Sequence, residues 1–265
     1  MAEQSVARFT DLLRQAVTKP GTIHAAYRAF HGFSLGNQLL AAMQCGERGL
    51  TLGPLATFPG WKAKSRHVKR GERALWLWMP VTVKRTVTDD DDREQAVPVT
   101  RFILKPHWFT LAQTEGAPVE PAPMPGWDRA RALVALDVQE VPFAMADGNV
   151  LGYAKGRTIA ISAVNPMPDK TTFHELAHVL LGHTGEGEQA EGADLPRNLR
   201  EVEAEAVALL CVESLGLDGA EYCRGYLQHW LRGQTIPETS AQRVFKVADQ
   251  ILKAGRRSPD QGAQA

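Results

Sequence analysis

Cysteine is scarce in this chain, and long apolar stretches are missing from it. The 265 residues include three cysteines, Cys45, Cys211 and Cys223, which are far apart and form no CxxC pair. This scarcity excludes a disulfide-stapled scaffold and a cysteine-based zinc site, and it is typical of a reducing compartment. No apolar run approaches the roughly 20 residues of a membrane-spanning helix. Because acidic and polar residues also interrupt residues 1–17, where a secretory signal would lie, we expect a cytoplasmic protein with no membrane partner.

The chain has no formal net charge, yet its two halves differ in sign. Lys and Arg together number 30, and so do Asp and Glu. Residues 1–114 hold 16 of the basic residues and 9 of the acidic ones, whereas residues 115–265 hold 14 and 21. A basic half joined to an acidic half indicates two separate tasks, one of which is the binding of a polyanion.

The apolar patterns predict an α+β fold. In the first half, the pattern predicts three helices: one near the N-terminus, one that starts at Ser34 and one over 58–68. Residues 74–85 and 97–109 are rich in β-branched and aromatic side chains, which predicts two strands. The acidic residues between them predict an exposed turn, so the two strands form a β-hairpin.

A segment with four prolines and two glycines, 114–126, predicts a linker. It separates a basic α+β domain with a β-hairpin, at 1–113, from a mostly helical domain with a small sheet, at 127–254. A flexible tail is predicted at 255–265. The second domain is predicted to contain a helix at 127–138, strands at 141–146 and 156–163, a helix at 169–182, an acidic loop at 184–196, and helices at 199–216, 219–231 and 238–254.

The sequence HELAH places His174 and His178 four residues apart, with Glu175 directly after the first. Residues four apart share one face of a helix, so both imidazoles can reach one ion. Glu175 then flanks the ion, where its carboxylate can take a proton from a water that the ion activates. The pattern predicts zinc as cofactor and Glu175 as catalytic base, although a buried helix with two hydrogen-bonded histidines has the same pattern.

A zinc site of this kind needs a third protein ligand, and two candidates are present. His183 lies nine residues after His174, so it faces away on a continuous helix unless Gly182 ends that helix first. Glu201 and Glu205 lie four apart in a later predicted helix and share a face. We expect Glu201 to be the ligand and Glu205 to hold a ligand histidine through its ring N–H. Glu203 points elsewhere and is predicted to lie on the surface.

The segment at 61–73 has the composition of a nucleic-acid contact. It contains six cations, which can neutralise phosphates: Lys62, Lys64, Arg66, Lys69, Arg70 and Arg73. Single-strand binders combine such basic segments with aromatic side chains that stack on bases. Trp61 is the predicted stacking residue, whereas Trp76 and Trp78 share a strand face that is predicted to be core. Asn37 is a further candidate for a contact with backbone or bases.

The motifs in both halves resemble one family. "FHELAHVLLGH" followed by "REVEAEAVALL" resembles the zincin-like metallopeptidases of the ImmA/IrrE and ArdC type. "FHGFSLGNQLLAAMQ", "TFPGWKAKSRHVKRGERALWLWMPV" and "HWFTLAQTEG" resemble the N-terminal half of ArdC antirestriction proteins. The resemblance implies a single-stranded-DNA-binding domain followed by a metallopeptidase domain. It also implies that Glu201 is the third ligand, with Ala204 and Glu205 as the pair that follows it.

These patterns predict a single-stranded-DNA-binding protein of antirestriction type with a zinc metallopeptidase centre. A DNA-bound protein is the predicted substrate of that centre. Two alternatives stay open. In one, the protein only coats single-stranded DNA and zinc stabilises the fold. In the other, a regulatory metallopeptidase acts on a repressor without binding DNA, and the basic segment is a dock for protein.

Overall fold

The structure is a computed structural model that describes residues 8–88, 94–145, 150–185 and 195–257. Within them the helices are α1 (Phe9–Thr18), α2 (Thr22–Phe30), α3 (Leu35–Glu47), α4 (Phe58–Ala63), α5 (Arg129–Ala135), α6 (Pro168–Leu180), α7 (Arg197–Leu215), α8 (Ala220–Leu231) and α9 (Glu238–Ala254). The strands are β1 (Leu55–Thr57), β2 (Arg66–Val68), β3 (Leu75–Thr88), β4 (Glu94–Thr110), β5 (Thr114–Gly116), β6 (Gln139–Glu140), β7 (Gly152–Lys155) and β8 (Thr158–Ile161). The predicted acidic turn, most of the acidic loop and most of the tail lie outside the described residues.

The α+β class is confirmed, and the chain divides into two compact units. One, the helical unit, comprises Met1–Leu39 and Ala122–Ala265, and the other, the hairpin unit, comprises Leu40–Pro121. This division differs from the predicted domain at 1–113, because α1 and α2 pack on helices from the end of the chain. An amphipathic pattern shows that a helix has an apolar face, but it does not show which distant element covers that face.

Helix α7 is the centre of the helical unit and contacts α2, α6, α8 and α9. Every residue from Val202 to Ser214 is buried, so the helix has no exposed face over that length. Helix α1 buries Leu12, Leu13 and Val17 and contacts α8 and α9. The small sheet of this unit has the order β6-β8-β7, with β7 at one edge and in contact with α6.

The predicted hairpin is the largest feature of the hairpin unit. Strands β3 and β4 pair antiparallel from Leu75 opposite Trp108 to Thr88 opposite Glu94, and β1 pairs with the other edge of β4. A second, two-stranded sheet joins β2 to β5. Leu75 and Leu77 point into the core, since both are buried. The prediction that the Trp76 and Trp78 face is the core face is wrong, because both of these side chains are only half-buried.

Three predicted elements differ from the structure. The helix predicted over 58–68 ends at Ala63, because Ser65 takes a positive φ of 56°, and the chain continues as β2. The predicted linker begins with β5, which pairs with β2. The strand predicted at 141–146 is irregular over 141–145, and the pairing residues are instead those of β6, just before it.

In the described parts of the chain, each helix is too short or too polar to cross a membrane.

Candidate metal centre and basic segment

Helix α6 presents His174 and His178 on one side and its apolar residues on the others. Phe173, Leu176 and Ala177 are fully buried and fix the helix in the unit. One turn separates the two histidines, so their rings lie next to each other, and the two Nε2 atoms are 3.1 Å apart. The predicted pair therefore converges at one point.

Helix α7 brings Glu201 to the same point. Its Oε2 lies 3.5 Å from His174 Nε2 and 3.7 Å from His178 Nε2. Among the described residues, these three are a group whose ligand atoms all lie within 4.8 Å of one another. Four ligands at the zinc distances of about 2.0–2.1 Å lie roughly 3.3 Å apart around a tetrahedral ion, so the spacing fits such a cation.

The electrostatics of the group also fit a cation. Burial disfavours a charged His174, but the carboxylates of Glu201 and Glu205 outweigh this and raise the pKa of His174 to about 9. Contacts with His174 and His178 hold the pKa of Glu201 well below its ordinary value. The site therefore favours a positive charge between these side chains. A divalent cation supplies this positive charge, and it displaces the proton that these side chains otherwise share.

Glu175 lies beside the three ligands in a cleft of about 520 Å³. Only 7% of the residue is exposed, and this burial raises the pKa of Glu175 above its ordinary value. Strand β7 also lines the cleft, with Tyr153 and Lys155 among its residues. The predicted base therefore lies in the same cleft as the predicted ligands.

Glu205 lies behind His174, on the side away from the other two ligands. Its Oε2 is 2.9 Å from His174 Nδ1, and Lys170 Nζ is 3.0 Å from the same carboxylate. Burial opposes the charge on Glu205, but His174 and Lys170 outweigh it and lower the pKa of Glu205 to about 2. The carboxylate lies close enough to His174 Nδ1 for the predicted orienting role, which stays a prediction.

Gly182 ends the last turn after α6 and folds His183 back. Gly182 has a φ of 76°, its N–H donates to the Val179 carbonyl, and the His183 N–H donates to the His178 carbonyl. These two bonds are the Schellman helix ending, for which glycine is the usual residue. As a result His183 Nδ1 lies 3.0 Å from His178 Nδ1, on the far side of that ring from the ligand group.

The prediction for Glu203 is wrong. The residue was expected on the surface, but it has no exposed area. Its Oε2 lies 2.9 Å from His183 Nε2. Burial lowers the pKa of His183, so the ring is neutral between its two partners. A glutamate in a helix usually faces water, and nothing in the local pattern shows that α7 is covered on all sides. The one sequence signal for this arrangement is Gly182, which marks the end of the helix.

The prediction that Trp61 stacks on a base is also wrong, because Trp61 lies in the core of the hairpin unit. It has no exposed area, and its Nε1–H donates to the Phe109 carbonyl at 2.9 Å, so no base can stack on it in this structure. The guanidinium of Arg66 is also occupied by hydrogen bonds within the protein. It donates to Thr114 Oγ1 at 2.8 Å and to the carbonyls of Thr114 and Gly116, which fastens β2 to β5.

The other predicted DNA contacts differ in exposure. Asn37 is half-buried on α3, and Lys69 is exposed but donates to the Ala112 carbonyl at 2.8 Å. The remaining four predicted cations are exposed: Lys62, Lys64, Arg70 and Arg73. Phe58 was not singled out for stacking, yet it is 55% exposed and lies one helical turn before Lys62. An exposed aromatic ring beside a cation is the pair that single-strand binding uses.

Comparison with known proteins gives matches to one family. Residues 11–109 match the model of the N-terminal domain of anti-restriction factor ArdC. The metal-free crystal structure of antirestriction ArdC protein from the R388 plasmid is 17% identical with a TM-score of 0.50, and the match covers 93% of this chain and 94% of that chain. The Mn(II)-bound structure of the same protein is 16% identical, also at 0.50, with 94% and 98% covered. No curated protein sequence matches this chain.

Proposed function

We propose that this chain, whose residues 11–109 match the N-terminal domain of anti-restriction factor ArdC, binds single-stranded DNA and hydrolyses peptide bonds at a divalent-cation centre. One observation carries the hydrolytic part. The ligand atoms of His174, His178 and Glu201 converge within 4.8 Å, and Glu175 lies beside them in an open cleft.

Zinc is the cation we propose for this site. Two histidines and one glutamate are the ligand set of several zinc hydrolases, and it leaves a fourth position open for water or substrate. The Mn(II)-bound ArdC structure shows that a relative accepts a divalent cation. A bound cation supplies Lewis acidity and lowers the pKa of water.

The side chains of this chain supply the remaining roles. Glu175 accepts a proton from a water in the cleft and returns it to the leaving amine, and its raised pKa suits both steps. Glu205 and Lys170 hold His174 in place from behind. Strand β7 forms the wall of the cleft along which an extended peptide lies.

The DNA-binding part is supported by the exposed cations of the basic segment. We propose that Lys62, Lys64, Arg70 and Arg73 contact phosphates and that Phe58 stacks on a base. Arg66 and Trp61 instead hold the hairpin unit together. A DNA-bound protein is then the proposed substrate, because single-stranded DNA brings it to the chain.

The hydrolytic proposal is tested with the Glu175→Gln variant and a protein substrate bound to labelled single-stranded DNA. We expect the wild type to cleave the protein and to contain one zinc per chain. The variant should keep its zinc and lose cleavage by at least 100-fold. If Glu201→Ala keeps its full zinc content, the ligand set is wrong. If Glu175→Gln protects DNA from a nuclease as the wild type does, protection is a binding function and not a catalytic one.

The DNA proposal is tested by titrating labelled single strands and duplexes of equal length, with and without a chelator. We expect tighter binding to single strands and no effect of the chelator. Replacing Lys62 and Lys64 with Glu should weaken binding and reduce the slope of log affinity against log salt by about 2. Lys246→Glu is a matched control, because Lys246 is exposed on α9 in the helical unit. Equal slopes for the wild type and the double variant would contradict phosphate contacts by these two lysines.

A further inference from the structure

The ring of His178 has a second contact that the proposed hydrolysis does not use. Its Nε2 faces His174 and Glu201, while its Nδ1 lies 3.0 Å from Nδ1 of His183. His183 in turn places its Nε2 2.9 Å from Glu203 Oε2. Both His183 and Glu203 are buried, at 8% and 0% exposed, so no bulk water competes for these contacts.

The proton positions in the hydrogen-bonded series of His178, His183 and Glu203 follow from the contact with Glu203. Glu203 Oε2 lies 2.9 Å from His183 Nε2, and a carboxylate oxygen is an acceptor, so the hydrogen of this contact is placed on His183 Nε2. In the neutral ring, His183 Nδ1 is then an acceptor, and the hydrogen between the two Nδ1 atoms belongs to His178. This leaves the lone pair of His178 on Nε2, directed towards His174 and Glu201.

We propose that His183 and Glu203 are positioning residues that hold His178 in the orientation and tautomer that bind a cation. The inference rests on the proposed metal centre and assigns no ligand role to His183, since both of its nitrogens are already used. Histidine ligands in metal sites usually donate their second N–H to a carboxylate or carbonyl. Here the carboxylate acts through an intervening imidazole.

Three elements build this arrangement. Gly182, in the left-handed conformation, turns His183 back against the last turn of α6. Helix α7 carries both Glu201 and Glu203, so one helix holds His178 from two sides. Helix α9 supplies Arg243, whose Nη1 lies 3.9 Å from Glu203 Oε1 and whose charge offsets that of the buried carboxylate. A buried carboxylate needs a partner of opposite charge, and Arg243 of α9 is placed to be that partner.

The affinity test is a competition titration of the full chain with ZnCl₂ and a chelator of known affinity. His183→Phe fills the space of the ring without hydrogen bonds, and we expect about 10–100-fold weaker zinc binding. His183→Gln offers an acceptor for His178 and a donor for Glu203, so it should restore most of the affinity. Glu203→Gln keeps an acceptor without the charge and should have an intermediate effect.

Glu213→Gln is a matched control, because Glu213 is another buried glutamate of α7 and pairs with Arg224 instead. It should leave zinc affinity unchanged even if it lowers stability. Zinc affinity of His183→Phe within two-fold of the wild type would overturn the inference, provided that circular dichroism shows the variant folded. Equal losses in His183→Phe and Glu213→Gln would overturn it as well, because they would show a general structural effect.

A spectroscopic readout separates this inference from the proposed function. Nitrogen-15 spectra of the histidines in the metal-free chain should show His183 as the Nε2–H tautomer. A His183 that carries its proton on Nδ1 would overturn the inference whatever the zinc titration shows. A wild-type chain that binds no zinc, but has His183 as the Nε2–H tautomer, would refute the metal centre and leave the hydrogen-bonded chain to His178 supported.

Discussion

Gly152 lies on β7 against α6, beside the predicted catalytic base. A Cβ at this position would lie 2.5 Å from Thr171 Cγ2 and 3.3 Å from Glu175 Oε1. Gly152→Ala therefore forces β7 and α6 apart, and we expect a loss of about 1–3 kcal/mol in the free energy of unfolding. Urea unfolding followed by circular dichroism measures this loss.

Gly225 provides the control for that substitution. It lies within α8, and a Cβ there would meet no atom within 4 Å. Gly225→Ala should stabilise the helix by up to about 1 kcal/mol, because alanine has the higher helix propensity. If both alanine variants have the same unfolding midpoint as the wild type, the contact of Gly152 with Thr171 is not as close as the structure shows.

Trp61 and Phe58 belong to the same short helix but differ in exposure, which leads to opposite predictions. Phe58→Ala should weaken single-stranded-DNA binding by about 1–3 kcal/mol and change stability little, because the ring is exposed. Trp61→Phe should lower stability, because it removes the hydrogen bond to the Phe109 carbonyl in the core. Fluorescence anisotropy and urea unfolding of both variants measure the two effects. A Trp61→Phe variant with normal stability and weak DNA binding would contradict this assignment.

At the scale of residues, the sequence predicted local geometry well and burial poorly. His174 and His178 lie on one helix, so their separation follows from the helical repeat. The spacing in α7 placed Glu201 and Glu205 on one face, and the structure has Glu201 within 4.8 Å of both histidines. Trp61 was predicted to be a stacking ring because of its basic neighbours, and Glu203 was predicted to be a surface charge because of its residue type and its place on the helix. Their burial depends on strands and helices that are distant in sequence, which a local pattern does not contain.

At the scale of elements, a buried ion pair joins three helices of the helical unit. Arg224 of α8 pairs with Glu213 of α7, and it donates to the carbonyls of Ala16 and Val17 at the end of α1. Arg224→Met leaves the Glu213 carboxylate buried and unpaired, and we expect a loss of about 3–5 kcal/mol in the free energy of unfolding. Thermal or urea unfolding measures it.

The double variant Arg224→Met, Glu213→Leu checks the cause of that loss. It leaves no buried charge behind, so it should recover a large part of the lost stability. Hydrogen exchange in α1 should stay faster than in the wild type, because the Ala16 carbonyl still lacks its donor and the Val17 carbonyl keeps only Gln228. Losses that simply add in the double variant would show that the ion pair is not the source of the effect.

Helix and strand prediction succeeded where a long pattern was present. Helices α7, α8 and α9 and the β3–β4 hairpin were predicted within a few residues, because each has a long periodic stretch. Helix α2 and strand β7 were not predicted, and each is short. Ser65 broke a predicted helix through a backbone conformation that serine seldom takes, so its residue type gave no warning.

At the scale of the whole molecule, the three cysteines are free and buried, with Cys45 in the hairpin unit and the other two in the helical unit. Burial raises the pKa of the Cys45 thiol to about 11 and raises the pKa of Cys211 and Cys223 further. The native protein should therefore resist thiol reagents at neutral pH.

Labelling with a thiol reagent at increasing urea concentration then follows each unit separately by mass spectrometry of the modified peptides. ZnCl₂ should delay labelling of Cys211 and Cys223 to higher urea and should leave Cys45 unaffected, since the proposed metal ligands belong to the helical unit. Rapid labelling of any of the three cysteines without urea would contradict the burial described for it. A zinc effect on Cys45 alone would contradict the location of the site.

The packing of α1 and α2 on α7, α8 and α9 has a consequence for biosynthesis. The first two helices leave the ribosome long before their partners exist. At ~5–20 residues per second, the roughly 170 residues between α2 and α7 take about 10–30 s to translate. During that interval Leu12, Leu13 and Ile23 have no native surface to cover them. Native docking of α1 and α2 is therefore a late step in folding, because it waits for the synthesis of α7, α8 and α9.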